Sequence, residues 1–245
     1  ATLVVAEPGG HRDPQYLGRI IRESGITTLH FVPSMLQVFV DAGELASCTT
    51  LRRVFASGEA LPAPLAARFL AESAAELHNL YGPTEAAIDV SFFHVADRAI
   101  ASVPIGRPIW NARLYVLDPH GRLLPPGVAG ELFIGGLVVG RGYYGRVELT
   151  AERFVDSPFV AGERMYRTGD LARWRNDGNI EYLGRIDHQV KIRGFRVELG
   201  EVEGALAQHP ALDQVVVVAQ GDLSAKRLVA FYTARAHRTE AGAVP

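Results

Sequence analysis

The residues of this chain that could do chemistry gather in four blocks. They are Asn79-Leu-Tyr-Gly-Pro-Thr-Glu85; Gly130-Glu-Leu-Phe-Ile-Gly-Gly136, continuing to Arg141-Gly-Tyr143; Tyr166-Arg-Thr-Gly-Asp-Leu171; and Gly184-Arg-Ile-Asp-His-Gln-Val-Lys-Ile-Arg-Gly194, continuing through Glu198. Taken singly, each is weak: a Thr-Gly-Asp turn is usually only a turn, and a Tyr on a strand is usually packing. Other chemistries find less support. There is no Gly-x-Ser-x-Gly nucleophile elbow and no His-Glu-x-x-His zinc helix. The eight histidines lack metal-ligand spacing, and the single cysteine, Cys48, excludes an intramolecular disulfide or a Cys-rich zinc site and suits a reducing cytosol. Gly135-Gly-Leu-Val-Val-Gly-Arg-Gly142 fits no phosphate loop and reads as a strand-turn-strand corner. His11-Arg12-Asp13 echoes a kinase catalytic loop, but with no other kinase element it reads as the start of a helix.

The elements that must position these blocks follow from patterning. The chain has 245 residues, 48% of them hydrophobic, enough for a substantial core in one large domain or two smaller ones. Its 25 Lys+Arg against 27 Asp+Glu argue against disorder and against nucleic-acid binding by bulk charge. No apolar run approaches the roughly 20 residues of a membrane span. The first third alternates strand and helix. Thr27–Val32, Leu51–Ala56 and Leu77–Leu80 read as strands. Asp13-Pro14 reads as an N-cap with proline at the first helical position, Leu17, Ile20 and Ile21 form the stripe, and Gly25 stops it. Leu65, Phe69 and Leu70 mark a second helix. Such an order favours a mostly parallel sheet with ligands at the carboxyl ends of its strands. From Asp89 to Gly184 the chain reads as β-rich, with strands over Arg113–Asp118, Glu131–Gly135, Tyr166–Trp174 and Ile180–Gly184 and a hairpin turn at Asn176–Asn179. Beyond Asp187 a short amphipathic helix (Val202, Ala205, Leu206, His209) and strands over Gln214–Ala219 and Arg227–Thr233 read as the start of a small α+β unit.

In this order and spacing the four blocks closely resemble adenylation domains of nonribosomal peptide synthetases, members of the wider adenylate-forming family that includes acyl-CoA ligases and luciferases. The resemblance covers essentially the whole chain. It implies an α/β plus β fold: residues 1–186 as the later part of the large N-terminal subdomain, and 187–245 as the start of a mobile α+β C-terminal subdomain. The abrupt ends read as the middle of a larger protein. The family's phosphate loop is expected upstream of Ala1 and its catalytic lysine downstream of Pro245, so the 245 residues alone are expected not to catalyse.

The implied reaction joins an amino-acid carboxylate to the α-phosphate of ATP and releases pyrophosphate. It needs no enzyme nucleophile, only two anions held together and developing charge neutralised. By resemblance, Glu85 would hold Mg²⁺, which prefers oxygen ligands, and Thr84 would donate to the α-phosphate; these two are the catalytic candidates. Tyr81 and Asn79 would contact adenine, Asp170 the ribose hydroxyls, Tyr182 and Arg185 would line the nucleotide, and Lys191 could reach the ribose. Asp187 matches the hinge about which the small subdomain turns to let a carrier protein's phosphopantetheine thiol attack the adenylate, with the loop Lys191–Gly194 entering beside the pantetheine arm.

The side-chain pocket falls by resemblance on His30, Phe55, Ser57, Leu80, Ile88 and Asp89. Phe55 and Leu80 leave little volume; Asp89, Ser57 and His30 supply donors and acceptors. Leu80 and Ile88 would be apolar core in any reading, whereas Asp89 is the informative residue, because carboxylates are seldom placed beside apolar runs without a partner. A small polar pocket suits a small hydroxylated side chain, and the set looks like that of serine-activating domains, with threonine next. The implied partners are the amino acid, a peptidyl carrier domain and neighbouring synthetase domains, with a small accessory protein as a further candidate; neither nucleic acid nor membrane is implied, and the setting expected is cytoplasmic. The alternatives are an acyl- or aryl-CoA ligase of the same superfamily and a non-catalytic segment that docks carrier proteins.

Overall fold

The computed structural model describes residues 2–187, 189–222 and 225–235; His188 of the fourth block and the stretch 236–245 lie outside them. The first layer is a five-stranded sheet in spatial order β1 (Thr28–Phe31), β2 (Arg53–Ala56), β3 (Glu76–Tyr81), β4 (Ser91–Val95), β5 (Arg107–Pro108). The first three strands are parallel, as the strand–helix alternation requires, and β4 and β5 run antiparallel to them. Helices α1 (Pro14–Ser24), α2 (Pro33–Asp41) and α3 (Ala63–Glu72) intervene. They bury Ile21, Leu36, Phe39, Leu65 and Phe69 against Val54, Ala56 and Leu77 of the sheet. Helix α1 begins as its sequence dictates. The Asp13 carboxylate accepts from the Gln15 and Tyr16 amides at 2.9 and 3.2 Å, a cap worth about 1 kcal/mol, and Gly25 closes the helix. Helix α2 carries no such marker: Pro33 follows the apolar run of β1 directly, and its capping carboxylate comes from elsewhere, Glu59 accepting from the Ser34 amide at 2.9 Å.

The second layer is antiparallel, in order β10 (Ile180–Arg185), β9 (Arg164–Trp174), β7 (Gly130–Gly136), β6 (Ala112–Leu117), with β8 (Phe154–Asp156) also paired to β9. The four expected strands are all present, and the hairpin at Asn176–Asn179 joins β9 to β10. A short helix, α4 (Val147–Arg153), and the strands β4, β5 and β8 are elements the sequence pattern does not mark. Gly135–Gly142 ends β7 and turns towards α4 rather than into another strand. The inner face of this sheet (Leu114, Val116, Leu132, Ile134, Tyr166, Ala172, Ile180) packs with Tyr81, Ala86 and Val90, so the loop after β3 sits inside a core.

Beyond Asp187 come a hairpin of β11 (Val190–Ile192) and β12 (Phe195–Val197), helix α5 (Leu199–Ala207) and a second hairpin, β13 (Leu212–Gln220) and β14 (Arg227–Ala234). Arg193 and Gly194 at the first turn both have positive φ, 51° and 79°, as a type I′ hairpin turn demands. Helix α5 ends before His209, and none of its residues is buried. Among the described residues no helix is long and apolar enough to cross a membrane.

Candidate functional site

The first block forms a tight loop between β3 and β4. A side chain at Gly82 would meet the Ile88 carbonyl oxygen at 2.2 Å, so only glycine permits the closure. The Pro83 carbonyl accepts from the Ala86 and Ile88 amides at 3.0 and 3.3 Å, and the Val90 amide donates to the Tyr81 carbonyl at 2.7 Å. Ala87 and Ile88 are driven to φ of 58° and 75°, unusual above all for a β-branched residue, at a cost of about 1–3 kcal/mol each. The surrounding structure pins this shape: Ala86 is fully buried, and the Gly140 amide of the second block donates to the Glu85 carbonyl at 2.8 Å.

The loop turns the Glu85 side chain inward. Its Oε1 accepts from the Tyr143 hydroxyl and from Nη1 of Arg196, each at 2.7 Å. Burial opposes ionisation of Glu85, but the Tyr143 hydroxyl and the Arg196 guanidinium outweigh it and hold the carboxyl below its ordinary pKa. Oε2 is buried without a hydrogen-bond partner among the described residues. An ionised oxygen left in that state is costly unless a donor or cation meets it, so the residues present fit a hard cation at Oε2. No group of three acidic, histidine or cysteine side chains that could hold a metal occurs among the described residues. Mg²⁺ commonly takes only one or two carboxylates and completes its shell with phosphate and water, so the single free oxygen of Glu85 is compatible with it. Thr84, one residue earlier, is exposed.

The third and fourth blocks meet the first at Asp170, which is 5% exposed. The Tyr81 hydroxyl donates to its Oδ2, and Arg185 Nη1 donates to its Oδ1 at 3.0 Å. The remaining guanidinium face of Arg185 is bidentate to Asp187, at 2.8 and 2.5 Å. Register shifts in β9, beside β7, and in β10, beside β9, bring Asp170 opposite Arg185. Burial raises the Asp170 pKa despite Tyr81 and Arg185, and burial lowers that of Lys191 despite Asp170. Beside this cluster lies a cavity of about 240 Å³ lined by Asn79, Leu80, Tyr81, Tyr182, Lys191 and Glu59, among others. It adjoins a larger one of about 620 Å³ that Arg185 also lines. Asn79 is 2% exposed; its Nδ2 donates to the Pro104 carbonyl at 2.8 Å, while its Oδ1 is buried without a partner among the described residues.

Of the six residues of the expected side-chain pocket, His30, Phe55, Ser57 and Asp89 lie near one another, and Leu80 and Ile88 lie apart from them. His30 Nε2 and Ser57 Oγ are 2.7 Å apart across β1 and the end of β2. His30, Phe55, His78 and His94 stand in register across four strands, with the His78 ring stacked on His94 and tilted against Phe55. Burial raises the Asp89 pKa, and the neighbouring Lys191 ammonium opposes the rise. Only Leu80 of the six lines the 240 Å³ cavity. Ile88, expected to be apolar core, is 66% exposed, because its left-handed backbone turns it away from the loop's buried side. Three site residues were not singled out by sequence: Tyr143 and Arg196, which lie inside or just beyond quoted blocks and are visible by that proximity alone, and Glu59, which carries no signal.

A mixed α/β sheet packed on a β-rich layer, with the four blocks converging between them, defines an adenylate-forming fold. The sequence signature of the family "AMP-binding enzyme" matches residues 1–144, and the chain belongs to that family. It is 57% identical over 234 residues to phosphinothricin tripeptide synthetase PhsB of Streptomyces viridochromogenes, covering 94% of this chain and 20% of that protein. It is 51% identical over 225 residues to enterobactin synthase component F of Escherichia coli, covering 88% of this chain and 17% of that one. Among solved structures it is similar to PA1221, described as an NRPS protein containing adenylation and PCP domains (TM-score 0.83, 29% identity, 91% of this chain and 46% of that one). It is likewise similar to NpsA-ThdA, an artificially fused adenylation-PCP di-domain NRPS from Klebsiella oxytoca (TM-score 0.81, 30% identity, 92% of this chain and 46% of that one). The chain thus spans about a fifth of the length of these curated relatives and about half of these solved ones.

Proposed function

We propose that the protein containing this chain activates an amino acid as its adenylate, within a nonribosomal peptide synthetase, and passes it to a carrier-domain thiol. The observation that carries this reading is the convergence of the four blocks: Glu85 on Tyr143, Tyr81 on Asp170, and Asp170 on Arg185. Tyr81 and Asp170 are thereby joined across 89 positions of sequence, beside the cavity that Tyr81 lines. The likeness to adenylation-PCP proteins supports the carrier as partner, and the buried Cys48 thiol accords with a cytoplasmic setting.

Mg²⁺, when bound, would supply charge neutralisation at the phosphates, and Glu85, whose Oε2 is unpartnered, would hold it. Thr84, exposed at the loop, donates to the α-phosphate. Asn79 accepts from the adenine amino group with its unpaired Oδ1, and the Tyr81 ring, fixed by its hydroxyl's bond to Asp170, forms a flat wall. Asp170 keeps lone pairs for the ribose hydroxyls on both oxygens. Tyr182 and Arg185 line the nucleotide, and Lys191 enters from the C-terminal side. Asp187, at the limit between segments 1–186 and 187–245, is the hinge. His30, Ser57 and Asp89 select a hydroxylated side chain, serine first: His30 and Ser57 are paired to each other, and Asp89 would be left without a donor by a substrate lacking the hydroxyl.

In the full-length protein, serine-dependent pyrophosphate exchange is expected. Asp170→Asn, which removes one charged acceptor, should raise the ATP KM about tenfold or more, the worth of a hydrogen bond to a charged group. An unchanged KM defeats the ribose role. Asp89→Ala should abolish the preference for serine, and intact serine-dependent exchange would show that the pocket lies elsewhere.

A further inference from the structure

The hairpin β11–β12 is fastened to the large segment at two carboxylates. Glu59 Oε1 accepts the Gly194 amide at 2.8 Å while its Oε2 caps α2 at Ser34, so both oxygens serve backbone donors. Gly194 also lies against Val32, where an added side chain would approach to 2.7 Å. At the second carboxylate, Arg196 Nη1 holds Glu85 Oε1. The Glu85 side chain is 8% exposed and that of Arg196 41%, so the buried partner stays in place when the exposed one leaves.

We infer that Arg196 and a divalent cation compete for Glu85, so that docking of the β11–β12 hairpin and cation binding oppose each other. This rests on the reading of Glu85 as the cation ligand. Arg196 holds Oε1 and the cation would meet Oε2 of the same carboxylate, so the two repel each other across one group without sharing an atom. Tyr143 already fills part of Oε1. Since Lys191 rides on the same hairpin, release of Arg196 also carries Lys191 away from the cavity. By linkage, the cation loosens the hairpin by the same factor by which docking weakens the cation, and a variant that undocks the hairpin tightens the cation up to the limit set by the docked fraction.

The test uses Mn²⁺ as the probe, titrated by EPR into the full-length protein with an ATP analogue that is not cleaved between the α- and β-phosphates. If the docked arrangement holds in nine of ten molecules, Arg196→Ala binds Mn²⁺ about tenfold more tightly than wild type, and Arg196→Lys falls between. Removing a positive charge would favour Mn²⁺ by itself, so Glu59→Ala decides the matter. It deletes a negative charge, which by charge alone weakens Mn²⁺; if it loosens the hairpin, it tightens Mn²⁺ a few-fold. Glu59→Gln serves the same purpose if Glu59→Ala does not fold. Tightening in the Glu59 and Arg196 variants supports the competition. Weaker or unchanged Mn²⁺ in the Glu59 variant overturns it, provided Glu85→Gln loses Mn²⁺. Wild-type Mn²⁺ affinity in Glu85→Gln instead removes the cation reading itself.

Discussion

The segment up to β10 and the segment beyond Asp187 are built on different principles. The first holds both apolar clusters, and its site loop is fixed by buried residues on either side. In the second, Val217 is the one buried apolar side chain among the described residues. Its attachments near the site are polar: Gly194 on Glu59 and Arg196 on Glu85. Apolar burial is lost only by unfolding, at about 25 cal/mol per Å². A hydrogen bond exchanged with water nets about 1 kcal/mol. The side of the cavity built by the first segment is therefore rigid, and the side built by the second is fastened by contacts that can be remade elsewhere.

The largest effects should expose this difference in stability. Leu132→Ala, in the fully buried face of β7, is expected to cost about 3 kcal/mol by cavity formation. Phe195→Ala, at 70% exposure on β12, should cost under about 0.5 kcal/mol. Denaturant unfolding of the full-length protein with a probe on each segment checks both. Comparable losses would mean that the second segment is cored as firmly as the first.

A sharper cut falls at the proposed hinge. Asp187→Pro stiffens the backbone and also removes the carboxylate that holds Arg185. Asp187→Ala removes only the carboxylate. Asp187→Pro should therefore spare pyrophosphate exchange and block transfer to the carrier thiol, while Asp187→Ala retains both half-reactions. Equal loss of the two half-reactions in Asp187→Pro, or full retention, would place the pivot elsewhere.

The same contrast explains what was legible in the sequence. Where local chemistry decides structure, the reading is close: Asp13, Pro14 and Gly25 bound α1, and Asn176–Asn179 turn β9 into β10. Helix α2 escapes because its cap, Glu59, lies 25 residues away from Ser34. The four blocks were legible because they occur together in order and spacing, and the fold joins Tyr81 to Asp170 and Asp170 to Arg185. What sequence could not supply is side-chain direction. Ile88 occupies an expected pocket position yet points outward, since its φ of 75° follows from closure against Gly82 and not from its own type. Glu59 was invisible for a related reason: its partners are backbone amides, which leave no residue-type signature.

The smallest expected effect concerns Lys191, the cation that crosses between the two segments. Burial against the cavity depresses its pKa below 10.5, and Asp170 only partly offsets this. Docked, the hairpin binds fewer protons at Lys191 than undocked, where the amine returns to its ordinary value. Docking is therefore favoured as pH rises through the depressed pKa, and the gain levels off near 10.5. Lys191→Met keeps the apolar stem and removes the titration. The wild-type Tm, measured against Lys191→Met, should thus climb as pH rises towards 10.5 and then level off. A difference that falls with rising pH would mean that Lys191 is held as a cation in the docked state, and that the joint between the segments is an ion pair with Asp170 rather than a buried amine.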